Sequence, residues 1–248
     1  MRRHVVFRSA GDQALVVELG DIIDPGVNAR VRWLARAIAQ RLAGDLVEVV
    51  PTYRSVLVIH DPLRAPRARL VAGIESLLAD LPADTAPETP PRTVHLPACY
   101  GGAFGPDLER VARHHQLAPE EVVSLHAGAT YLVYMLGFTP GFPYLGGLSP
   151  RIATPRLETP RPRVDAGFVG IGGQQTGIYP VESPGGWLLV ARTPVRLFDP
   201  EAASPFLLAA GDRLRFDPIT PEEFAAVSAR VAARTYAPRI DLAGGRTP

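Results

Sequence analysis

The residues whose types could do proton chemistry include one well-placed histidine. His126 follows the apolar run VVSL and precedes a predicted strand, so it is the best placed of the six histidines to act as a general acid or base. A single histidine is more often structural, and that alternative stays open. Glu182, in YPVESPGGW, is a candidate partner for His126 or for an arginine. No metal site is expected, because the adjacent His114 and His115 would lie on different faces of a helix.

A second set of candidates consists of arginines in a proline-rich segment. The segment RIATPRLETPRPR (151–163) carries four arginines, including Arg156 and Arg161. Proline restrains the backbone, so guanidinium groups held here would be preorganised to bind a carboxylate or phosphate, or to dock on an acidic partner. The alternative is a solvated loop whose arginines pair with Glu158 and Asp165. The spacing of the residues does not separate these two interpretations.

The stretch GFTPGFPYLGGL (137–148) alternates turn-forming residues with large apolar ones. One interpretation is a rigid wall in which glycines let the backbone approach a ligand and exposed amides donate hydrogen bonds to it. The other is an ordered loop of a barrel, pinned by buried aromatic rings. The residues of the candidate wall are Gly137, Phe138, Pro140, Gly141 and Phe142.

Composition excludes several classes of function. The net charge is +1, which gives no electrostatic reason to expect nucleic acid or a membrane surface as a partner. All 26 basic residues are arginine, so the chain has no lysine for a Schiff base, a P-loop or a biotinyl group. Cys99 is the only cysteine, which excludes an intrachain disulfide. Since no apolar run of signal-peptide or transmembrane length occurs, we expect a cytoplasmic protein.

Two differently patterned halves must position these candidates. Residues 82–91 (PADTAPETPP) contain four prolines and no large apolar side chain, so we predict an N-terminal α+β domain over 1–84, a proline-rich linker over 85–92 and a second domain over 93–248. In the first domain we predict strands at 14–19, 46–50 and 55–59, a helix from Pro25 to Gly44, and a helix after Pro66. This order favours a small sandwich with both helices on one face of the sheet, and a further strand from either flank.

The second half is predicted to be a β-barrel. Between Gly137 and Gly186 there are 11 glycines and 8 prolines, which exclude a helix there. Short helices are expected after Pro106 and Pro119, and a C-terminal helix after the N-cap residue Thr220. Evenly spaced short strands favour a barrel, and we predict them at 93–100, 130–136, 168–171, 177–181, 187–191, 195–198 and 212–216.

The segments GFTPGFPYLGGL (137–148), ATPRLETPRPRVDAGFVGIGGQQTGIYPVESPGGWLLVARTP (153–194) and GDQALVVELG (11–20) resemble the PxpB/KipI family, whose members are known as the 5-oxoprolinase B subunit, kinase A inhibitor or allophanate hydrolase subunit 1. The resemblance covers nearly the whole chain. It implies an N-terminal α+β domain and a C-terminal cyclophilin-like β-barrel, in agreement with the patterns above.

The resemblance also implies a function that needs partners. It points to a non-autonomous subunit of an ATP-dependent 5-oxoprolinase complex, which opens 5-oxo-L-proline to L-glutamate. The implied partners are the C subunit, which is a KipA-type carboxyltransferase-like protein, and the A subunit of 5-oxoprolinase, with ATP used by the complex as a whole. Two alternatives are a regulatory module that inhibits a histidine kinase and a subunit of allophanate hydrolase in urea metabolism.

Matching the family's pattern position by position gives the candidate site residues. His126 is the candidate catalytic residue. The candidate substrate-binding residues are Arg156, Arg161, Arg192, Gln175, Thr176 and Tyr179.

Overall fold

The computed structural model describes residues 5–82, 92–242, 245 and 246. The chain divides into two compact units, Met1–Thr89 and Pro90–Pro248. The predicted linker, 85–92, lies outside the described residues except for Arg92, which begins a strand. Within the described part of the chain, no helix is both long and apolar enough to span a membrane.

The first unit is a four-stranded antiparallel sheet with two helices. Its strands are β1 (Val6–Ser9), β2 (Ala14–Glu18), β3 (Leu46–Pro51) and β4 (Ser55–His60), in the order β1-β2-β4-β3, and its helices are α1 (Pro25–Arg41) and α2 (Arg67–Ala79). The strand whose origin the sequence leaves open is β1, from the N-terminal flank. Apolar residues that alternate along β2 and β4 form one core with both helices, so the predicted sandwich is confirmed.

The second unit begins with two helices and eight strands. They are β5 (Arg92–Tyr100), α3 (Leu108–His115), α4 (Pro119–Ala127), β6 (Tyr131–Leu136), β7 (Pro143–Gly146), β8 (Arg161–Val164), β9 (Phe168–Gly172), β10 (Gln175–Ile178), β11 (Ser183–Gly185) and β12 (Leu188–Arg192). The remaining elements are β13 (Arg213–Pro218), α5 (Pro221–Ala232), β14 (Ile240–Leu242) and β15 (Gly245–Arg246).

Seven of these strands close into a barrel. Their order is β5-β12-β9-β10-β7-β6-β13, and β13 returns to β5 in parallel pairing. The hairpin of β14 and β15 extends from β5, while β8 and β11 form a separate pair. Side chains that alternate along the strands, such as Val169 and Ile171 on β9, fill the interior. The predicted β-barrel is therefore confirmed.

Several element boundaries differ from the prediction. Residues 195–198 do not form a strand: Val195 and Leu197 are buried, but only Phe198 makes an isolated bridge, to Phe206. The strand predicted at 177–181 instead spans Gln175–Ile178. It ends before Pro180, which has no N–H for a ladder hydrogen bond. In the glycine- and proline-rich stretch the structure has a short 3-10 turn, Pro150–Ile152, and no α-helix.

The C-terminal helix begins as its sequence predicts. The backbone N–H of Glu223 donates to Thr220 Oγ1 at 3.2 Å, and the Thr220 N–H donates to Glu223 Oε2 at 2.8 Å. These two bonds complete a capping box. The apolar face of α5 is half-buried, with Phe224 against Phe104 at a ring separation of 4.7 Å.

Candidate functional site

A row of glycines on the outer side of the barrel makes room for aromatic rings. Val169 and Ile171 point inward, so Gly170 and Gly172 on the same strand face outward, and Gly170 pairs with Gly177 on β10. A Cβ atom on Gly172 would lie 2.6 Å from Trp187 Cε2, closer than atoms can pack. The strands can therefore carry a layer of aromatic rings on this face only because these positions lack side chains.

The layer is a small core of its own, outside the barrel. The ring of Phe142 meets those of Tyr179 and Trp187 edge-on, with centroids 5.3 and 5.5 Å apart. Such edge-to-face contacts favour one fixed arrangement of the rings. Tyr144 and Phe168 pack against the layer and are half-buried. We call this set the aromatic layer; its members are Phe142, Tyr144, Phe168, Tyr179 and Trp187.

Gly172→Ala is expected to lower the free energy of unfolding by about 1 to 3 kcal/mol, because the added methyl overpacks against Trp187. Gly186→Ala is the matched control, since its Cβ would make only ordinary contacts, at 3.6 Å and beyond, with Pro160 and Leu157. Urea denaturation of both variants measures the difference. Equal stability of Gly172→Ala and wild type would contradict the close packing described here.

Two arginines lie over rings of the layer. Arg156 is exposed, and its Cζ lies 5.5 Å from the centroid of the Trp187 ring. Arg192 is half-buried, with its Cζ 4.8 Å from the centroid of Phe168 and its Nε donating to the Ala166 carbonyl at 3.2 Å. Within the described ranges neither arginine forms an ion pair with a carboxylate. Guanidinium groups that lie over aromatic rings and have no carboxylate partner are suited to bind a carboxylate or phosphate.

Arg161 has a different environment, because its donors are already used inside the chain. Its Nη2 donates to both carboxylate oxygens of Asp107, at 2.8 and 2.9 Å, and Nη1 donates to the Trp187 carbonyl at 3.4 Å. Asp107 is buried and also accepts a hydrogen bond from the Leu189 N–H at 2.7 Å. Arg161 thus fastens β8 to the barrel. A substrate-binding role for Arg161 stays a prediction.

A solvated loop with paired arginines, which is the alternative that the sequence leaves open, describes the surroundings of Arg163 but not those of Arg156. Arg163 forms ion pairs with Asp165 at 3.1 Å and with Glu182 at 2.8 Å. The sequence leaves open whether Glu182 pairs with His126 or with an arginine, and the structure shows that it pairs with an arginine. Within one short segment, the arginines divide into a paired group and the open Arg156.

Tyr179 and Gln175 lie on the same outer side of the barrel as the arginines. Burial raises the pKa of the Tyr179 phenol, while a backbone hydrogen bond with Trp187 and the charges of Arg156 and Arg161 oppose that shift. The phenol is thus neutral near pH 7. Gln175 is half-buried and pairs across the ladder with Gly172. Tyr179 is only 2% exposed and its hydroxyl is hydrogen-bonded to the Trp187 backbone, so a substrate-binding role for Tyr179 stays a prediction, as it does for Gln175.

His126 lies in the interior, in a closed chain of hydrogen bonds. The Tyr100 hydroxyl lies 2.8 Å from His126 Nδ1, and His126 Nε2 lies 3.0 Å from Thr176 Oγ1, which donates to the Gly170 carbonyl. The ring is fully buried and stacks on Phe216 at 4.9 Å. Burial lowers the pKa of His126 from 6.5 to about 3, so the imidazole is neutral near pH 7.

The structure therefore separates the predicted site residues into two groups. His126 and Thr176 lie inside the barrel, where both are fully buried, whereas Arg156, Arg192 and Tyr179 belong to the outer face. The catalytic role of His126 stays a prediction, and this geometry favours the structural alternative. Sequence reasoning did not find Asp107, Tyr144 and Phe168 as parts of the outer site. A strand glycine opposite an aromatic residue, Gly177 against Tyr144, was the signal for Tyr144.

The candidate wall divides in a similar way. The connection between β6 and β7 is ordered by hydrogen bonds from the Gly137 N–H to the Phe142 carbonyl and from the Phe142 N–H to the Thr139 carbonyl, both at 3.1 Å. Phe142 is buried and pins the loop, whereas Pro140 is exposed and Phe138 is 63% exposed. Gly141 has a φ of 81°, a conformation that favours glycine.

The architecture is a small α+β unit followed by a closed barrel that carries arginines on its outer face. This combination indicates the class of protein. Residues 5–208 match the family described as carboxyltransferase domain, subdomain C and D. The 5-oxoprolinase B subunit of Bacillus subtilis (strain 168) is 42% identical over 224 residues, which cover 86% of this chain and 92% of that one. The chain belongs to the family of 5-oxoprolinase B subunits, and the predicted resemblance is confirmed.

Solved structures place the same fold in longer chains. The crystal structure of TTHA0988 is similar with a TM-score of 0.73 and 39% identity over 84% of this chain, which spans only 40% of that one. The Kluyveromyces lactis Urea Carboxylase is similar with a TM-score of 0.79 over 96% of this chain and 24% of that one. At 23% identity, the second likeness shows the fold alone.

Proposed function

We propose that this chain is a non-autonomous subunit of an ATP-dependent 5-oxoprolinase complex that opens 5-oxo-L-proline to L-glutamate. The observation that carries the proposal is the 42% identity to the 5-oxoprolinase B subunit of Bacillus subtilis, which extends over most of both chains. The partners in this proposal are the A subunit of the enzyme together with the KipA-type, carboxyltransferase-like C subunit. The complex acts in the cytoplasm.

The arginines on the outer face of the barrel support this proposal. A lactam amide is stabilised by resonance, so water attacks it only slowly unless its carbonyl is activated. ATP would supply the phosphoryl group that activates the carbonyl oxygen, which places negative charge near the substrate. The guanidinium groups of Arg156 and Arg192 lie over aromatic rings without a carboxylate partner in the described ranges, and in this proposal they stabilise that charge or bind the substrate carboxylate.

The nucleotide is proposed to bind with the help of a partner. The chain has no lysine, hence no P-loop lysine to contact the phosphates. The open arginines can contribute to phosphate binding, but they are exposed or half-buried on one face rather than enclosed. The complete site in this proposal is therefore shared between proteins of the complex.

The purified chain alone is expected to release no glutamate from 5-oxoproline above background, with or without ATP. The chain co-expressed with both partner proteins is expected to form a complex that releases glutamate only when ATP is present. A coupled glutamate assay and size-exclusion chromatography measure both results. Turnover by the isolated chain would contradict the non-autonomous role, because that role requires the partners.

The same preparations separate the alternative functions. A complex that assembles but hydrolyses allophanate rather than 5-oxoproline would replace the proposal with a role in urea metabolism. A chain that binds neither partner but inhibits autophosphorylation of a purified histidine kinase would replace it with a regulatory role. The likeness to urea carboxylase does not favour the first of these, since it shows the fold alone.

A further inference from the structure

Two neighbouring loops of the barrel unit carry an exposed aromatic patch. Phe138 is 63% exposed in the loop between β6 and β7, and Phe206 is 44% exposed in the segment that follows β12. Phe206 stacks on Phe198 with ring centroids 5.2 Å apart. The loops contact each other, because a Cβ atom on Gly141 would lie 3.1 Å from Phe198 Cβ. We call these residues the Phe138 patch: Phe138, Pro140, Phe198 and Phe206.

The backbone of Phe138 is held in an unfavourable conformation. Its φ is 68°, in the left-handed region that bulky residues rarely adopt. The ring touches the edge of Phe142 at 5.7 Å but otherwise faces solvent, so the folded chain gains little burial in return. Strained residues of this kind concentrate at functional sites. A strained and exposed ring is explained if it is buried by another molecule.

The charges around the patch indicate what that molecule presents. Arg196 is exposed two residues before Phe198 and has no carboxylate partner in the described ranges. The acidic residues of the same segment, Asp199 and Glu201, are both paired with Arg234, at 3.0 and 2.7 Å. The unpaired charge beside the patch is therefore positive.

We propose that the Phe138 patch is the docking surface for another protein, which offers an apolar socket for the Phe138 ring and acidic residues facing Arg196. This inference rests on the proposed function, and its occupant is the KipA-type subunit of the 5-oxoprolinase complex. A protein fits better than a small molecule, because the rings stand on exposed loops, whereas small ligands bind in concave sites. Central aromatic and arginine side chains are also typical anchors of protein interfaces.

The decisive variant is Phe138→Gly, because it removes the ring and also relieves the backbone strain. It is expected to weaken binding of the purified KipA-type subunit at least tenfold, measured by biolayer interferometry, while the melting temperature stays the same or rises. Leu63→Gly is the control: Leu63 is 93% exposed and belongs to the first unit, so binding should stay at the wild-type level. Phe138→Asn is a second test, since asparagine tolerates a positive φ.

Charge reversal at Arg196 tests whether the partner presents acidic residues to it. Arg196→Glu is expected to weaken binding at least fivefold in low salt, and that difference should shrink as the salt concentration rises. Wild-type affinity of both Phe138 variants would overturn the docking surface, even if the wild-type complex assembles and makes glutamate. If the wild-type chain does not bind the KipA-type subunit at all, both the docking surface and the proposed function fail. A functional complex that tolerates the substitutions therefore rules out the docking surface and leaves the proposed function standing.

Discussion

Acidification from pH 7 to pH 4 is expected to cost the fold about 3 kcal/mol of unfolding free energy through His126 alone. Burial lowers the pKa of His126 from 6.5 to about 3 in the folded chain. Below pH 6.5 the unfolded chain binds a proton that the folded chain does not, so stability falls as the pH falls. Each unit of pH between these two pKa values costs about 1.4 kcal/mol, and the loss is complete near pH 3.

Urea denaturation at pH 7 and pH 4 measures this effect. His126→Gln is expected to be less stable than wild type at pH 7, because it breaks the hydrogen bonds to Tyr100 and Thr176. It should, however, lose about 3 kcal/mol less than wild type on acidification, since its side chain does not titrate. Ser124→Ala on the same helix as His126 is the control, because Ser124 is exposed and carries no titratable group, so the pH dependence should stay that of wild type. An unaltered pH dependence in His126→Gln would contradict the closed, neutral environment of the ring.

Arg156→Lys is expected to reduce the kcat/KM of the reconstituted 5-oxoprolinase complex by about 10- to 150-fold, although the charge is kept. A lysine ammonium cannot reproduce a planar guanidinium over the Trp187 ring, which is able to present two parallel donors to one ligand. Loss of one charge-assisted hydrogen bond costs about 1.5 to 3 kcal/mol, which corresponds to that range. Stability should change by only about 0.5 kcal/mol, because Arg156 is exposed.

The matched control for this variant is Arg163→Lys. Arg163 lies in the same segment, is exposed and is paired with Asp165 and Glu182, so its kinetics should stay at the wild-type level. Steady-state kinetics, thermal melts and co-purification with the KipA-type subunit are measured for both variants. Wild-type kinetics for Arg156→Lys would show that this arginine binds no reacting group. Loss of the KipA-type subunit with an unchanged melt would instead assign Arg156 to the interface alone.

Local sequence rules predict much of this fold. The helices predicted from Pro25 and after Thr220 begin there, and the side chains of Asp24 and Thr220 accept hydrogen bonds from backbone N–H groups three residues later. Apolar alternation predicts the central strands β2 and β4, whose inward residues are fully buried. The sequence does not predict the edge strand β1, because this strand is short and half-exposed and so carries a weak pattern.

The candidate site could be predicted only in part, since its geometry depends on contacts between distant residues. Arg156 and Arg161 are five residues apart in one proline-rich segment, yet Arg161 is bound by Asp107, which lies 54 residues away. The segment gives no sign of that pairing. Similarly, His126 meets Thr176 across 50 residues, and the sequence does not state which side of the strand Thr176 faces.

The position of β13 has a consequence for how the chain folds during synthesis. β13 lies between β5 and β6, so the barrel stays open until residues 213–218 have left the ribosome, more than a hundred residues after β5. At about 5 to 20 residues per second, that interval lasts roughly 6 to 23 seconds. The first unit has all its strands by His60 and α2 by Ala79, so it can fold during this time. The unpaired edges of β5 and β6 are then exposed to other chains, which makes this interval the period of greatest risk of aggregation.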